Sequence, residues 1–447
     1  MEWMISAAQL LLSLSFLVAV HEFGHLIAAK YFGMRVEQFS IGFPPKLWSF
    51  KKGETEYALS LIPLGGYVKI SGMIDESLDT ETMKQPPQPW EFRSKPAWQR
   101  LIVMLGGIFV NVVVGILIFI ALTFVYGDSN ILKDEINNNG GFHVGSLGEK
   151  IGLKTGDKIT EINGKNYQYY EDLLEPELLL SENPTYTVDR NGQILKIEIP
   201  GTFIQDLSKK DNAGNFLYYR FEPVVDEVVK NTAADRMQLQ EGDKILEVNG
   251  NPVGYHDQIA ANVKSRKDSI ALRVQRGNEQ LALKASLNGD STIGFRSRKP
   301  TEFLERAETT TTYGLIESIP LGTKRAFTTL TVQIKAFGKV ISGALSPKDS
   351  IAGPIGIAQA FGVEWDWGRF WTLTGVLSLM LAFMNLLPIP ALDGGHVMFL
   401  SYEIISRRKP TDKFLETAQK IGMVFLLVFM IFIFANDISK LIPDTWW

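Results

Sequence analysis

The stretch His21-Glu22-Phe23-Gly24-His25 lies near the start of the 447-residue chain, inside a segment that otherwise has the composition of a membrane span. Residues 4–20 carry no charge, and the apolar run continues to Ala29. On a helix, two histidines four residues apart project from one face and can hold one zinc ion at about 2.0–2.1 Å. Glu22 then lies beside the metal, where a general base takes a proton from water that the metal activates.

A His-Glu-x-x-His string also occurs by chance on the solvated face of an ordinary helix. The setting of this one argues for chemistry, because an ionisable residue in a membrane span costs about 2.5–3.5 kcal/mol on insertion scales. Three such residues at one end of a span therefore indicate a functional site.

Composition excludes several classes of protein. A net charge of −4 without any polybasic run argues against nucleic acid as a partner. The chain has no cysteine, so disulfides and thiolate zinc sites are excluded, and any zinc must be held by histidine and carboxylate. The N-terminal apolar run lacks a preceding basic segment and passes through the histidine motif, so we expect a retained first span and not a cleaved signal peptide.

Four segments are long and apolar enough to cross a bilayer, which needs about 20 helical residues. They cover residues 4–29, 101–125, 370–392 and 421–436. The last is the shortest, and the terminal Trp446-Trp447 pair is typical of an interfacial anchor that would support it. Lysine and arginine are concentrated between spans one and two and between spans three and four, so we expect these connections in the cytoplasm. Both termini and the long middle region then lie on the opposite side of the membrane.

Residues 35–71 alternate β-branched and aromatic side chains with turn signals, which predicts a small antiparallel sheet of two or three hairpins. The segment is too apolar for a simple cytoplasmic loop. We expect it to pack against the membrane domain with an exposed edge near the metal, and an independent β-domain is the alternative. Pro86, Pro87 and Pro89 mark a linker to span two. Asn111 in that span is expected to form an interhelical hydrogen bond more readily than to take part in chemistry.

The middle region contains an internal repeat with an offset of 86 residues (242 − 156). The stretch 156–164, Gly-Asp-Lys-Ile-Thr-Glu-Ile-Asn-Gly, is matched by 242–250, Gly-Asp-Lys-Ile-Leu-Glu-Val-Asn-Gly. Each reads as a strand that ends in an Asn-Gly turn, so one small domain is duplicated. The signature resembles PDZ domains, which bind an extended peptide along a strand edge. The alternative is that one or both copies are structural spacers.

Residues 301–349 interleave apolar and basic side chains, with Phe327 and Phe337 among the former and Lys324 and Lys335 among the latter. This pattern predicts an amphipathic helix. Such a helix either lies on the membrane surface or packs as a connector.

Span three ends in a second informative stretch, Asn385-Leu-Leu-Pro-Ile-Pro-Ala-Leu-Asp-Gly-Gly-His396. Pro388 and Pro390 each remove a backbone donor and clash with the preceding turn, so the helix should break within the membrane. Broken backbone at that depth is tolerated only where it is buried in protein or lines a wet cavity. Asp393 supplies the carboxylate of a His-His-carboxylate zinc site with one open position. His396 is the less favoured alternative ligand.

These two motifs, the duplicated domain and the four spans together resemble the site-2 protease family of intramembrane zinc metalloproteases, over essentially the whole chain. The resemblance implies that His21, His25 and Asp393 bind Zn2+, that Glu22 is the catalytic base and that Asn385 helps to hold the substrate. It also implies a membrane-reentrant β region whose edge receives the unwound substrate as an added strand. Some members have a Gly-x-Gly loop there. The matching loop in this chain is Gly42-Phe43-Pro44, so Gly42 and Phe43 are candidate substrate contacts.

The expected fold is a polytopic α-helical membrane protein with four transmembrane helices, a membrane-associated β-hairpin sheet and an inserted tandem of β-rich PDZ domains. The expected boundaries are 1–30 for the first helix with the zinc motif, 31–97 for the reentrant β region and linker, 98–127 for the second helix, 128–220 and 221–300 for the PDZ domains, 301–366 for the amphipathic region, 367–396 for the third helix with the Asn-Pro-Asp motif, and 412–442 for the fourth helix.

By resemblance, the chain is expected to cleave single-span proteins that were first trimmed on their outer side, in the bacterial inner membrane and toward its cytoplasmic side. Trimmed anti-sigma factors of an envelope-stress response and remnant signal peptides are the implied substrates, with the PDZ tandem in the periplasm excluding untrimmed proteins. Two other classes remain open. A membrane-anchored PDZ adaptor needs no intramembrane histidine, and a zinc transporter needs neither Glu22 nor PDZ domains.

Overall fold

The computed structural model describes residues 2–73, 86–181, 183–201, 203–208, 215–263, 269–287, 292–298 and 301–441. They divide into two compact units, one of Met1–Gly127 with Thr312–Trp447 and the other of Asp128–Thr311. Within this described part, four helices are long and apolar enough to cross a membrane, which confirms the four predicted spans. They are Trp3–Tyr31, Ala97–Tyr126, Trp367–Leu386 and Lys413–Lys440. The predicted Trp446-Trp447 anchor lies outside the described residues.

The first unit begins with two helices that flank a bent sheet. Its elements are α1 (Glu2–Tyr31), β1 (Val36–Lys52), β2 (Thr55–Ile70), a 3-10 turn (Phe92–Ser94) and α2 (Ala97–Tyr126). Gln38 in β1 pairs both with Glu56 at the start of β2 and with Lys69 near its end, so the first half of β1 lies between two antiparallel segments of β2. The predicted hairpin sheet is therefore confirmed. Residues 66–70 form an outer edge that no other strand of the described chain pairs with.

Helices α1 and α2 pack closely because glycines face each other. A Cβ atom at Gly24 would lie only 2.6 Å from the carbonyl carbon of Gly106, and one at Gly107 would lie 2.7 Å from the His21 ring. Small residues let helix backbones approach each other in a membrane, where apolar burial contributes little to association. As a result, α2 passes directly over the face of α1 that carries the two histidines.

The second unit consists of short strands and helices in a repeated arrangement. Its strands are β3 (Asp128–Ile131), β4 (Phe142–Val144), β5 (Lys158–Ile162), β6 (Lys165–Asn166), β7 (Thr185–Arg190), β8 (Gln193–Glu198), β9 (Leu217–Tyr219), β10 (Val225–Val228), β11 (Lys244–Val248), β12 (Asn251–Pro252), β13 (Ser269–Arg276), β14 (Glu279–Ser286), β15 (Phe295–Ser297) and β16 (Glu308–Thr311). Its helices are α3 (Lys133–Asn138), α4 (Ser146–Lys150), α5 (Pro176–Leu179), α6 (Phe203–Ser208), α7 (Ala233–Arg236), α8 (Asp257–Val263) and α9 (Thr301–Ala307), with a 3-10 turn at Tyr170–Leu174.

The sequence repeat is also a structural repeat. Two four-stranded sheets have the same order, β6-β5-β7-β8 and β12-β11-β13-β14. The first long strand of each ends in an Asn-Gly turn, with φ of 52° at Asn163 and 53° at Asn249. Positive φ at this position suits asparagine and glycine, which is why the same dipeptide marks both turns.

The predicted boundary at residue 301 is wrong. Phe303 and Ala307 of α9 are buried in the hydrophobic core of the first small domain, and β16 pairs with β3 along its whole length. Residues 301–311 therefore belong to the second unit, because their apolar side chains find a core there. The amphipathic segment begins only after them.

The first unit resumes with α10 (Leu315–Ile341), α11 (Pro347–Ser350), α12 (Pro354–Phe361), α13 (Trp367–Leu386), α14 (Asp393–Ser406) and α15 (Asp412–Leu441). Helix α10 packs as a connector against α2 and α13: the Arg325 guanidinium donates to the Thr123 hydroxyl at 3.0 Å, and the Gln333 amide donates to the Val376 carbonyl at 3.3 Å. The predicted third helix, 367–396, is continuous only to Leu386. The break at the prolines is confirmed, and Asp393 opens a new helix.

Candidate metal centre and active site

Three ligand atoms from two helices converge at one point in the first unit. The Nε2 atoms of His21 and His25 lie 3.1 Å and 3.2 Å from Oδ2 of Asp393, and 3.3 Å from each other. When each ligand of a tetrahedral zinc site is about 2.0–2.1 Å from the metal, the ligand atoms lie about 3.3 Å apart. The observed spacing therefore fits a single zinc ion, and these three residues could hold one.

The hydrogen bonding of the site supports a cation at its centre. Nδ1 of His25 lies 2.8 Å from the carbonyl oxygen of Val103, so it carries the proton and Nε2 presents a lone pair. Oδ2 of Asp393 is buried and no residue of the described chain gives it a hydrogen bond. A buried acceptor without a donor is costly. One cation satisfies the carboxylate and both imidazoles together, whereas an ion pair with one protonated histidine would leave the other imidazole facing acceptors.

The chain break after α13 places Asp393 at this point. Asp393 is the first residue of α14, and the next two residues are glycines that fit tightly against the preceding loop. A Cβ atom at Gly394 would lie 2.6 Å from the Leu386 carbonyl oxygen, and one at Gly395 would lie 2.7 Å from the Ile389 carbonyl oxygen. The Leu-Asp-Gly-Gly sequence thus lets the backbone fold back on itself, which aims the carboxylate at the histidines.

Glu22 and the sheet edge border the cavity that contains the metal site. The cavity has a volume of about 720 Å³ and is lined by Glu22, Asn385 and residues 66–70, besides the three ligand candidates. Glu22 is partly buried and lines the cavity together with Val68. A carboxylate beside the ligands and not among them is the arrangement that the His-Glu-x-x-His motif predicts.

The other predicted site residues differ in how close they lie to the metal site. Asn385 reaches the centre, with Nδ2 3.3 Å from Nε2 of His21. Phe43 lines the cavity and stacks on Tyr67 at a centroid distance of 6.5 Å. Gly42, with φ of 88°, is absent from the lining, and its Cβ would lie 2.8 Å from the Ser60 carbonyl oxygen. Gly42 therefore shapes the turn within the sheet.

Sequence reasoning underestimated Asn111. It was expected to act as an interhelical hydrogen bonder, and it does bridge two helices, but its partner is a ligand candidate: Nδ2 lies 3.1 Å from Nδ1 of His21. The sequence did contain one indication of this role. Gly107 and Asn111 are four residues apart, so a residue without a side chain and an amide lie on the same face of α2. His396 also lines the cavity but is not part of the converging group.

Comparisons with known proteins identify a family for this chain. The model of peptidase family M50 matches residues 9–429. A Regulator of sigma E protease from Haemophilus influenzae is 29% identical over 460 residues, which covers 99% of this chain and 100% of the relative. The Regulator of sigma-E protease RseP from Escherichia coli is 28% identical, covering 97% and 98%. A putative zinc metalloprotease from Vibrio cholerae is also 28% identical, covering 96% and 98%.

The family match covers nearly the whole chain, and the relatives match it from end to end. The His-Glu-x-x-His motif and the zinc-compatible group of ligands lie within the matched range, and the four apolar helices lie wholly or mostly within it. The chain therefore belongs to peptidase family M50, the site-2 protease family, and is a membrane zinc metalloprotease.

Proposed function

We propose that the chain is an intramembrane endopeptidase that hydrolyses peptide bonds within the transmembrane segments of single-span proteins. The observation that carries this proposal is the position of the converging group. Three metal-ligand atoms and a carboxylate meet in a cavity bordered by helices that are apolar enough to span a membrane. Such a position suits a substrate segment that itself lies in the membrane, and not a soluble substrate.

The roles of the residues follow from their geometry. His21, His25 and Asp393 hold the metal through the atoms that converge. Bound zinc supplies a Lewis acid that polarises the scissile carbonyl and lowers the pKa of water to about 7. Glu22 takes the proton from the attacking water and then delivers it to the leaving amine nitrogen. The amide of Asn385 lies beside His21 and holds the substrate backbone.

The substrate segment must be unwound before cleavage, because helical hydrogen bonding shields each carbonyl from attack. The 66–70 segment of β2 borders the cavity beside Glu22, and no other strand of the described chain pairs with its outer side, so an extended substrate can add to the sheet as another strand. This pairing replaces backbone hydrogen bonds that no water could satisfy at that depth. Phe43 contacts a substrate side chain from the cavity wall, and Gly42 shapes the turn that carries it.

The proposed substrates and cellular location are supported by the names of the relatives. Two of them are named regulators of sigma E, which supports a bacterial inner-membrane enzyme that cleaves a trimmed anti-sigma factor, with remnant signal peptides as further substrates. The basic residues between spans support an active site toward the cytoplasm and both termini in the periplasm. The two small domains of the second unit act there as a PDZ tandem that excludes untrimmed proteins.

The proposal is tested by cleavage of a tagged single-span substrate in detergent. Wild-type protein should cleave it and lose activity with a zinc chelator, whereas Glu22→Gln should keep its zinc and lose about 10²–10⁴-fold in rate. Glu54→Gln, which alters an exposed side chain in the turn between β1 and β2, serves as the control and should cleave normally. Cleavage by Glu22→Gln at the wild-type rate would show that Glu22 is not the base.

Strand addition is tested by cross-linking, which the absence of native cysteine makes simple. In the Glu22→Gln background, a cysteine at Lys69 should form disulfides with alternate cysteine positions in the substrate, because strand neighbours face one side with a period of two. A cysteine at Lys51, on the far part of β1, is the control. Equal cross-linking at both positions would contradict pairing along the 66–70 edge.

A further inference from the structure

One face of α2 contacts both histidines of the metal site. Val103, Gly107 and Asn111 follow each other at intervals of four residues, so they share that face. Val103 gives its carbonyl to His25, and Asn111 gives its side chain to His21. Between them, Gly107 leaves space that a Cβ atom would fill at 2.5 Å from Nε2 of His25. The helix therefore holds the two rings without contributing a ligand itself.

The contact to His25 shows what such a partner does. A carbonyl oxygen can only accept, so Nδ1 of His25 must carry the proton, and Nε2 is left as the metal-binding atom. Partners of this kind fix the tautomer and orientation of a metal-ligating histidine. His21 needs the same state, because its Nε2 also points at Asp393.

The amide of Asn111 can meet that need in one orientation only. With Nδ2 donating to Nδ1 of His21, the imidazole proton would have to sit on Nε2, where it would block the metal position. That orientation also leaves Oδ1 of Asn111 buried without a donor in the described part of the chain. A 180° rotation of the amide exchanges the two atoms. Oδ1 then accepts the Nδ1 proton, as the Val103 carbonyl does for His25.

Contacts from α13 hold Asn111 in place. The side chain is fully buried, and the Ser378 hydroxyl donates to the Asn111 backbone carbonyl at 2.8 Å. A Cβ atom at Gly115, one turn later, would lie 2.7 Å from Leu379, so α13 lies tightly against α2 at this level. The amide cannot turn toward lipid and remains beside His21.

We propose that Asn111 is a positioning residue for the metal site: its Oδ1 accepts the Nδ1 proton of His21 and so keeps Nε2 free for zinc. The inference rests on the proposed ligand set of His21, His25 and Asp393. It makes α2 the helix that selects the tautomer of both histidines, through a backbone carbonyl for one and an amide oxygen for the other.

The test compares zinc affinity among variants of the full-length protein in detergent, by competition with a fluorescent zinc chelator. Asn111→Leu, of similar size and without an acceptor, should weaken zinc binding by about 10–100-fold, the usual cost of losing such a partner. Asn111→Asp keeps an acceptor and cannot donate, so its affinity should stay within about threefold of wild type. The absorption spectrum of the cobalt-substituted protein should change with leucine and be retained with aspartate.

Two further variants separate the possible failures. Thr123→Val removes another fully buried polar group from α2, far along the helix from the histidines, and should leave zinc affinity unchanged. His21→Ala should abolish tight zinc binding, and wild-type affinity in that variant would overturn the proposed ligand set itself. If His21→Ala loses zinc but Asn111→Leu does not, or if Asn111→Asp is as weak as Asn111→Leu, the role assigned to Asn111 is wrong. Should the leucine variant not fold, Asn111→Ala takes its place.

Discussion

Both units of the molecule bury carboxylates, but they treat them in opposite ways. In the second unit, Asp157 and Asp243 are the same residue of the two repeats, and each forms a two-pronged pair with an arginine at 2.7 Å. Each also accepts a backbone N–H from three residues earlier. Hydrogen bonding to Asp157 raises the pKa of Arg190, and Asp243 does the same for Arg276. In the first unit, Asp393 faces two imidazole nitrogens and has a buried oxygen to which no residue of the described chain donates.

The difference separates structural carboxylates from functional ones. A carboxylate whose lone pairs are all satisfied by the protein stabilises the fold and has nothing left to offer a ligand. A carboxylate left unsatisfied beside other acceptors destabilises the metal-free protein, and a bound cation removes that cost. Burial alone does not distinguish the two cases, whereas the count of donors does.

The largest effect is expected at Asp393. Asp393→Asn keeps the size of the side chain but removes its charge, so zinc content and cleavage should both fall by more than about 100-fold, beyond the usual cost of losing an outer partner. Metal analysis of the purified protein measures the first and cleavage of a single-span substrate the second. One zinc per chain in this variant would mean that Asp393 belongs with the structural carboxylates.

A somewhat smaller effect is expected at Gly107. Gly107→Ala puts a methyl group where both histidine rings lie, which should displace them and reduce cleavage by about 100-fold. Gly338→Ala, in α10, meets no atom of the described residues within 4 Å and is the matched control, with activity unchanged. Wild-type kinetics for Gly107→Ala would show that the site tolerates displacement of the two histidine rings.

Asp243 should affect stability and not chemistry. Asp243→Asn loses a charge-assisted pair, which should cost about 2 kcal/mol in the second unit while zinc content and cleavage stay unchanged. Limited proteolysis of the intact chain at increasing urea concentration measures the loss. Glu227→Gln is the control, since its pair with Arg296 is exposed and should cost less than about 0.5 kcal/mol. Loss of zinc from Asp243→Asn would contradict the separation of structural carboxylates from functional ones.

The smallest effect is expected at Asp437, a buried carboxylate in the same unit as Asp393. It accepts backbone N–H bonds from Gly353, Ile355 and Gly356 and so caps α12 from a neighbouring helix. Because it is satisfied, Asp437→Asn should cost only about 1 kcal/mol, the usual value of a helix cap, and should retain full zinc. Reduced zinc content in this variant, measured beside Asp393→Asn, would show that donor count does not separate the two roles.

The parts of the site that sequence predicted are those set by local pattern. The spacing of His21 and His25 fixes their common face on a helix, and the prolines before Asp393 force the chain break that frees its carboxylate. The hairpin sheet and the duplicated domain likewise follow from turn residues and a visible repeat. In each case the physical cause is a pattern that can be read from the sequence itself.

The parts that sequence did not predict depend on contacts between distant segments. Asn111 reaches His21 only because facing glycines bring α1 and α2 together, and no periodicity in α2 encodes which helix will be opposite. The packing of Phe303 into the first small domain reflects a core whose other segments lie 86 or more residues earlier in the chain (303 − 217). The exclusion of Gly42 from the cavity depends on how β1 bends back between two segments of β2.

The most direct test of the central claim is the position of the cut. Full-length protein would be reconstituted with a tagged single-span substrate in lipid vesicles, and the new termini identified by mass spectrometry. We predict termini within the apolar segment of the substrate, formed by wild type and not by Glu22→Gln. Termini confined to the water-exposed flanks of that segment would contradict cleavage inside the membrane.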